Sequence, residues 1–168
     1  MCYLPSFLKT QIIHLKGSDC KNDRPKTKQQ RICVGCTCLF YWLLCIQEVS
    51  TASCALFCVI GTFSCIADAD LPPIEYRTLA CLFDRFFATL GSVRILTPLF
   101  REGLWGSLWQ FAFMAGIALF GFWTLHRSRQ VPKTVAAGWQ WTFWHSTWHT
   151  YSVVASFYFL HHERTNGV

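Results

Sequence analysis

The sequence predicts an all-α integral membrane protein, and three observations carry that expectation. Charge is scarce: 14% of the 168 residues are charged and 52% are hydrophobic, whereas soluble domains carry about 25% charged residues. Four apolar stretches, at roughly 38–67, 79–100, 107–125 and 142–160, reach the length of about 20 residues that a helix needs to cross a bilayer. The chain also holds eight Trp, five Tyr and fifteen Phe. Trp139, Trp141, Trp144 and Trp148 read as an aromatic belt at a membrane interface.

Taken in order, residues 1–36 read as a basic, cysteine-containing, poorly ordered tail, broken by Pro5, Gly17 and Pro25. The helical membrane domain spans 37–162, and 163–168 is a short C-terminal tail. Thr37 to Ala67 would be about 46 Å long as one helix. That is one span, or a span with an interfacial lead-in, and too short for two. Asp68 to Pro73 forms a tight acidic loop, and the next helix runs from about Ile74 to Thr97, before Pro98. Gly103 and Gly106 mark a turn. The third span, from Trp105 to Leu125, carries Gly116 and Gly121 as points of close helix contact. A basic loop with His126, Arg127, Arg129, Pro132 and Lys133 leads to the last helix, which ends near His161.

The formal net charge of +6 raises the question of nucleic acid, but its distribution answers against it. Seven of the fifteen basic residues precede Cys33, a juxtamembrane pattern rather than a groove-binding one. The first fifteen residues lack the apolar core and cleavage site of a signal peptide, so the first span directs insertion. All ten Cys lie before Leu82. Cys33, Cys36 and Cys38 form a Cys-x-x-Cys-x-Cys cluster that lacks a fourth zinc ligand unless Cys20 returns by a long loop. The plainer reading is a set of reduced or lipidated thiols beside the membrane. Cys45, Cys54, Cys58 and Cys65 read as small apolar residues within a span.

Ionisable groups within or beside spans are costly and mark functional candidates. Ser64 and Asp68 are four residues apart, as are His145 and His149, so each pair shares a helix face. Counting crossings, the first span ends at Asp68, the second starts on that face, the third returns to it and the last begins there. Asp68, Asp84 and His145 can therefore converge, with Ser64 and His149 one turn deeper. His161 and His162 lie about 24 Å along the helix from His145, towards the other face. Two imidazoles and a carboxylate suit catalytic zinc with one open position. Asp84 could then accept a proton from water while Ser64 assists. Each residue also has a plainer reading: interfacial anchoring for the His pair, helix packing for Ser64, capping for Asp68, and an ion pair for Asp84.

These residues resemble the CREST superfamily of membrane hydrolases, which includes alkaline ceramidases, progestin and adipoQ receptors, GPI-processing factors and myomaker. That pattern is Ser-x-x-x-His at one helix end, Asp in the next helix, and His-x-x-x-His in the last. Here Ser64-Cys-Ile-Ala-Asp68, Asp84 in Leu-Phe-Asp-Arg-Phe, and His145-Ser-Thr-Trp-His149 take those places. Trp144-His-Ser-Thr-Trp-His149 and the Leu-Phe-Arg-Glu-Gly-Leu-Trp run at 99–105 are most similar to the branch of post-GPI-attachment lipases and myomaker. The resemblance implies zinc on Asp68, His145 and His149, with Ser64 and Asp84 catalytic, and hydrolysis of an acyl ester or amide in a membrane lipid or lipid anchor. Two departures stand out. Asp68 replaces the family's His, and four spans are readable where the family has seven, as in a partial, spliced or diverged seven-helix bundle.

Two other classes remain open at this level. One is a non-catalytic membrane protein that acts through helix association or membrane remodelling, alone or as a homo-oligomer. The other is a small transporter, for which Asp84 and Arg85 are the only hint. The expected partners are membrane lipids and partner transmembrane helices, with no nucleic acid. The expected location is the plasma membrane or the endomembrane system. The basic tail places the N-terminus in the cytoplasm, while Arg127, Arg129 and Lys133 argue for the reverse orientation.

Overall fold

The computed structural model describes residues 25–48, 50–71, 76–101 and 108–166. Among these the chain is all-helical: α1 (Lys28–Leu39) running into a 3₁₀ segment (Phe40–Ile46), α2 (Thr51–Asp68), α3 (Arg77–Arg101), α4 (Leu108–Gln130) and α5 (Gly138–Asn166). By length and composition, two helical stretches among the described residues can cross a membrane. They are Lys28–Ile46, with mean hydropathy 1.3, and Thr51–Asp68, with 1.6.

The single first span expected over 37–67 is instead a hairpin of two helical arms. Its first arm begins well before Thr37, because Thr27 caps α1 in a reciprocal box. Thr27 Oγ1 accepts from the Gln30 amide at 3.3 Å, and Gln30 Oε1 accepts from the Thr27 amide at 2.9 Å. The cap brings Lys28–Cys36 into the helix, which supplies the length that a count from Thr37 lacks. The arms run antiparallel: Gly35 packs on Cys65 and Ala69, and the Trp42 indole covers Gly61 and donates to the Cys58 carbonyl at 3.0 Å. A Cβ on Gly61 would meet Trp42 at 2.8 Å, so this crossing needs glycine.

α2 ends in a Schellman motif. Leu71 N–H donates to the Ile66 carbonyl at 3.2 Å and Asp70 N–H to the Ala67 carbonyl at 3.4 Å, with Asp70 in the left-handed region at φ 59°. The motif fixes where Asp68, the last helical residue, points. α3 packs on α2 through stacked Phe63, Phe83 and Phe87. It continues past Pro98 to Arg101, so Pro98 does not end the helix. The turn expected at Gly103 and Gly106 and the prolines Pro72 and Pro73 lie outside the described residues.

α4 extends five residues beyond Leu125. His126, Arg127 and Arg129 are therefore helical, and the expected basic loop shrinks to the residues after Gln130. Arg127 and Arg129 in the last turn complement the negative end of the helix dipole. α5 likewise starts before Trp139 and runs beyond His161. It lies against α1, the 3₁₀ segment and α4, and touches α3. Tyr151 donates to the Ile117 carbonyl across α4 at 2.7 Å, and Gly121 lets Trp148 and Tyr151 approach. Gly116, the other expected contact point, faces open space.

Two apolar cores result. One joins Leu44, Phe57, Ile60, Val153 and Leu160; the other joins Val34, Cys38, Val131 and Trp141. The second lies beneath the carboxyl end of α2, and the polar cluster described next sits on it.

Candidate metal centre at the carboxyl end of α2

The Schellman turn presents the Asp68 carboxylate to the face of α5 that carries His145 and His149. His149 Nε2 is 2.9 Å and His145 Nε2 is 3.1 Å from the same oxygen, Asp68 Oδ2. The side chains of His149, His145 and Asp68 are only 5%, 14% and 20% exposed. Trp141 stacks on His145 with ring centroids 4.7 Å apart, and Tyr41 meets His149 edge-on at 6.1 Å.

The proton count at His145 carries the argument. Ser128 Oγ, on the last turn of α4, donates its one proton to the Leu125 carbonyl at 2.7 Å. His145 Nδ1 lies 3.4 Å from that hydroxyl oxygen. A neutral His145 whose Nδ1–H donates to Ser128 Oγ turns its Nε2 lone pair towards the carboxylate. In that state two lone pairs face each other at 3.1 Å and repel, whereas a proton on Nε2 makes the contact an ion pair. A metal ion held by both groups would relieve the same repulsion. His149 Nδ1 is buried without a partner. Two imidazoles and a carboxylate are donor types that suit zinc, and Ser128 lies against the far nitrogen of the His145 ring.

A turn back along α2, Ser64 Oγ donates to Asp84 Oδ1 on α3. Asp84 lies within electrostatic range of Asp68 and His149. The structure thus gathers all five residues singled out from the sequence, Ser64, Asp68, Asp84, His145 and His149, at one end of the bundle. His161 stands apart and exposed on the last turns of α5.

Four neighbours lay beyond the sequence reading. Cys38 is fully buried, with Sγ, an Asp68 carboxylate oxygen and a His149 nitrogen all within 4.8 Å of one another. Cys33 and Cys36, its partners in the sequence cluster, are exposed because a helix turns them to other faces. Lys26 donates to the Asp68 carbonyl at 2.6 Å and lies 4.6 Å from the Trp141 ring centroid. Burial lowers its pKa, and the nearby carboxylates of Asp68 and Asp70 offset this in part. Ser128 is the third neighbour and Trp141, expected only as part of a belt, is the fourth. The Thr27-x-x-Gln30 pattern, readable in the sequence, starts α1 between Lys26 and Cys38.

Among the described residues, two groups could hold a metal ion: Cys38, Asp68 and His149 here, and Cys45, Cys54 and Cys58 elsewhere. Compared with known proteins, the chain matches no family model, no curated protein sequence and no solved structure.

Proposed function

We propose that this chain is a multi-pass membrane protein whose centre at Asp68, His145 and His149 holds zinc and hydrolyses an acyl ester or amide of a membrane lipid or lipid anchor. The observation that carries this reading is the convergence of His145 Nε2 and His149 Nε2 on Asp68 Oδ2, with the His145 lone pair directed inward. The membrane assignment draws on the exterior. Large apolar side chains stay exposed on four helices, with Ile32 at 56%, Val93 at 56%, Leu119 at 69% and Phe143 at 62%. A water-soluble surface does not carry apolar area so continuously.

Bound zinc supplies Lewis-acid activation of water and of an acyl carbonyl near neutral pH. The remaining work falls to the side chains. Asp84 accepts a proton at its carboxylate, and the Ser64 hydroxyl holds that carboxylate in place. Ser128 keeps His145 in the tautomer with Nε2 free, and Trp141 and Tyr41 shield the rings from water. The resemblance to the CREST hydrolases supplies the substrate class.

Cys38 favours a second reading. A thiolate within reach of the centre could complete a closed, four-ligand structural site in a non-catalytic protein that acts through helix association. The two readings separate on Cys38→Ser. A catalytic centre keeps its zinc and its activity, whereas a closed structural site loses a direct ligand and with it most of its zinc affinity. The function itself is tested by fatty-acid release from ester- and amide-linked lipids in mixed micelles. The expected result is release by the wild type and none by His145→Ala. A folded, zinc-loaded wild type that releases no fatty acid from any acyl lipid overturns the hydrolase reading.

A further inference from the structure

A second cluster of metal-ligating side chains lies at the opposite end of α2. Cys54 and Cys58 are four residues apart on its first turns and share one face. The antiparallel course of the 3₁₀ segment against α2 brings Cys45 over that face. Cys45 Sγ lies 3.6 Å from Cys58 Sγ and 3.2 Å from the Cys54 carbonyl oxygen, and all three sulfurs fall within 4.8 Å of one another. All three thiols are free and half-buried. Cys54 and Asp68 are about 21 Å apart along α2, so this cluster is independent of the histidine centre.

We propose that Cys45, Cys54 and Cys58 form a three-thiolate site for one soft, low-coordinate ion of the Cu(I) class. The spacing supports it: metal–sulfur bonds of about 2.3 Å in a trigonal plane place the sulfurs about 4 Å apart. The present triangle therefore closes on an ion with rotamer adjustments alone. The number of donors selects the ion. Zinc takes four ligands in a closed protein site, and among the described residues no fourth His, Cys, Asp or Glu joins this group. Thiolates without oxygen or nitrogen partners prefer Cu(I). Each thiol gives up its proton as its sulfur–metal bond forms. The ion enters already as Cu(I), so no electron is transferred. Once bound, it ties the 3₁₀ segment to α2 and clips the reversal shut.

The test is an anaerobic Cu(I) titration of the full chain in detergent, against a chromophoric bidentate Cu(I) chelator. Cys33→Ser/Cys36→Ser serves as the background, because it removes the two thiols on the exposed face of α1. Adding Cys45→Ser/Cys54→Ser/Cys58→Ser should remove about one equivalent of tightly held Cu(I), together with its ultraviolet thiolate-to-metal absorption. Each single Cys→Ser change at these positions should weaken that equivalent without altering helical circular dichroism. Cys65→Ser and Cys81→Ser, two half-buried thiols outside the cluster, should leave it intact. An unchanged Cu(I) count in the triple variant overturns the proposal. So does an isolated protein with Cys45 and Cys58 joined as a disulfide, and so does a cluster that takes zinc but not Cu(I).

Discussion

At one end of the bundle Arg94 reaches Glu48, Glu163 and Ser53; at the other Asp68 meets His145 and His149. Arg94 donates to Glu48 at 3.0 Å, to Glu163 at 3.0 Å and to Ser53 at 3.1 Å, so α3, the chain just beyond the 3₁₀ segment, α5 and α2 close on one guanidinium. There a fixed positive charge meets carboxylates, and the cluster is held together by its own side chains. Around Asp68 the arrangement gathers electron-pair donors instead: two imidazoles on one carboxylate oxygen, with a buried thiol close by. The two ends differ in chemistry: the first sets one guanidinium between two carboxylates, and the second groups two imidazoles and a buried thiol around one carboxylate.

That comparison can be broken in several places, and the largest expected effect is on chemistry. Asp84→Asn should lower lipid hydrolysis by about 10²- to 10⁴-fold, the usual worth of a positioned proton acceptor, while zinc content stays at the wild-type level. Loss of zinc along with activity would make Asp84 a ligand or a fold determinant instead. Next comes the opposite end. Arg94→Met strands the Glu48 carboxylate, which is 1% exposed, and should cost about 3–5 kcal/mol in thermal unfolding in detergent. Zinc content should not change, and a parallel loss of zinc would show that the two ends are coupled.

A smaller effect is expected at Ser128. Ser128→Ala frees the His145 tautomer and should weaken zinc binding about 10- to 100-fold, read by competition with a zinc chelator. Unaltered affinity would show that Ser128 does not set the His145 tautomer. The smallest effects concern two glycines of α4. Gly121→Ala forces its new methyl to within 3.1 Å of Trp148 and should destabilise by about 1 kcal/mol. Gly116→Ala meets nothing within 4 Å and should stabilise by about 0.5–1 kcal/mol. Equal shifts in melting temperature would contradict the packing of α4 on α5.

Much of the centre was legible because helical spacing and the alternation of crossings are simple geometry. Ser64/Asp68 and His145/His149 needed only a period of four, and the shared face followed from counting helix ends. The first third of the fold was harder to read. Hydropathy hid α1 because Lys28 and Arg31 open it, and the informative signal was the Thr27-x-x-Gln30 cap, which sets the helix start regardless of composition. Cys38 could not be told apart from Cys33 and Cys36 until the helix assigned them to different faces. Arg94, Glu48 and Glu163 are 46 and 69 residues apart along the chain, and only tertiary packing brings them together. Similarly, the helical state of His126–Gln130 was masked by a run of basic residues that reads as a loop but suits a helix carboxyl end.

The most direct test of the zinc centre is metal analysis of detergent-purified protein carrying Cys45→Ser/Cys54→Ser/Cys58→Ser, so that the thiol cluster contributes nothing. This protein is compared with the same chain bearing His145→Ala and His149→Ala in addition. About one zinc per chain that disappears with the two histidines is the expected result. A folded protein with intact histidines and no zinc after purification in zinc-containing buffer would contradict it, leaving a proton as the cation between His145 and Asp68.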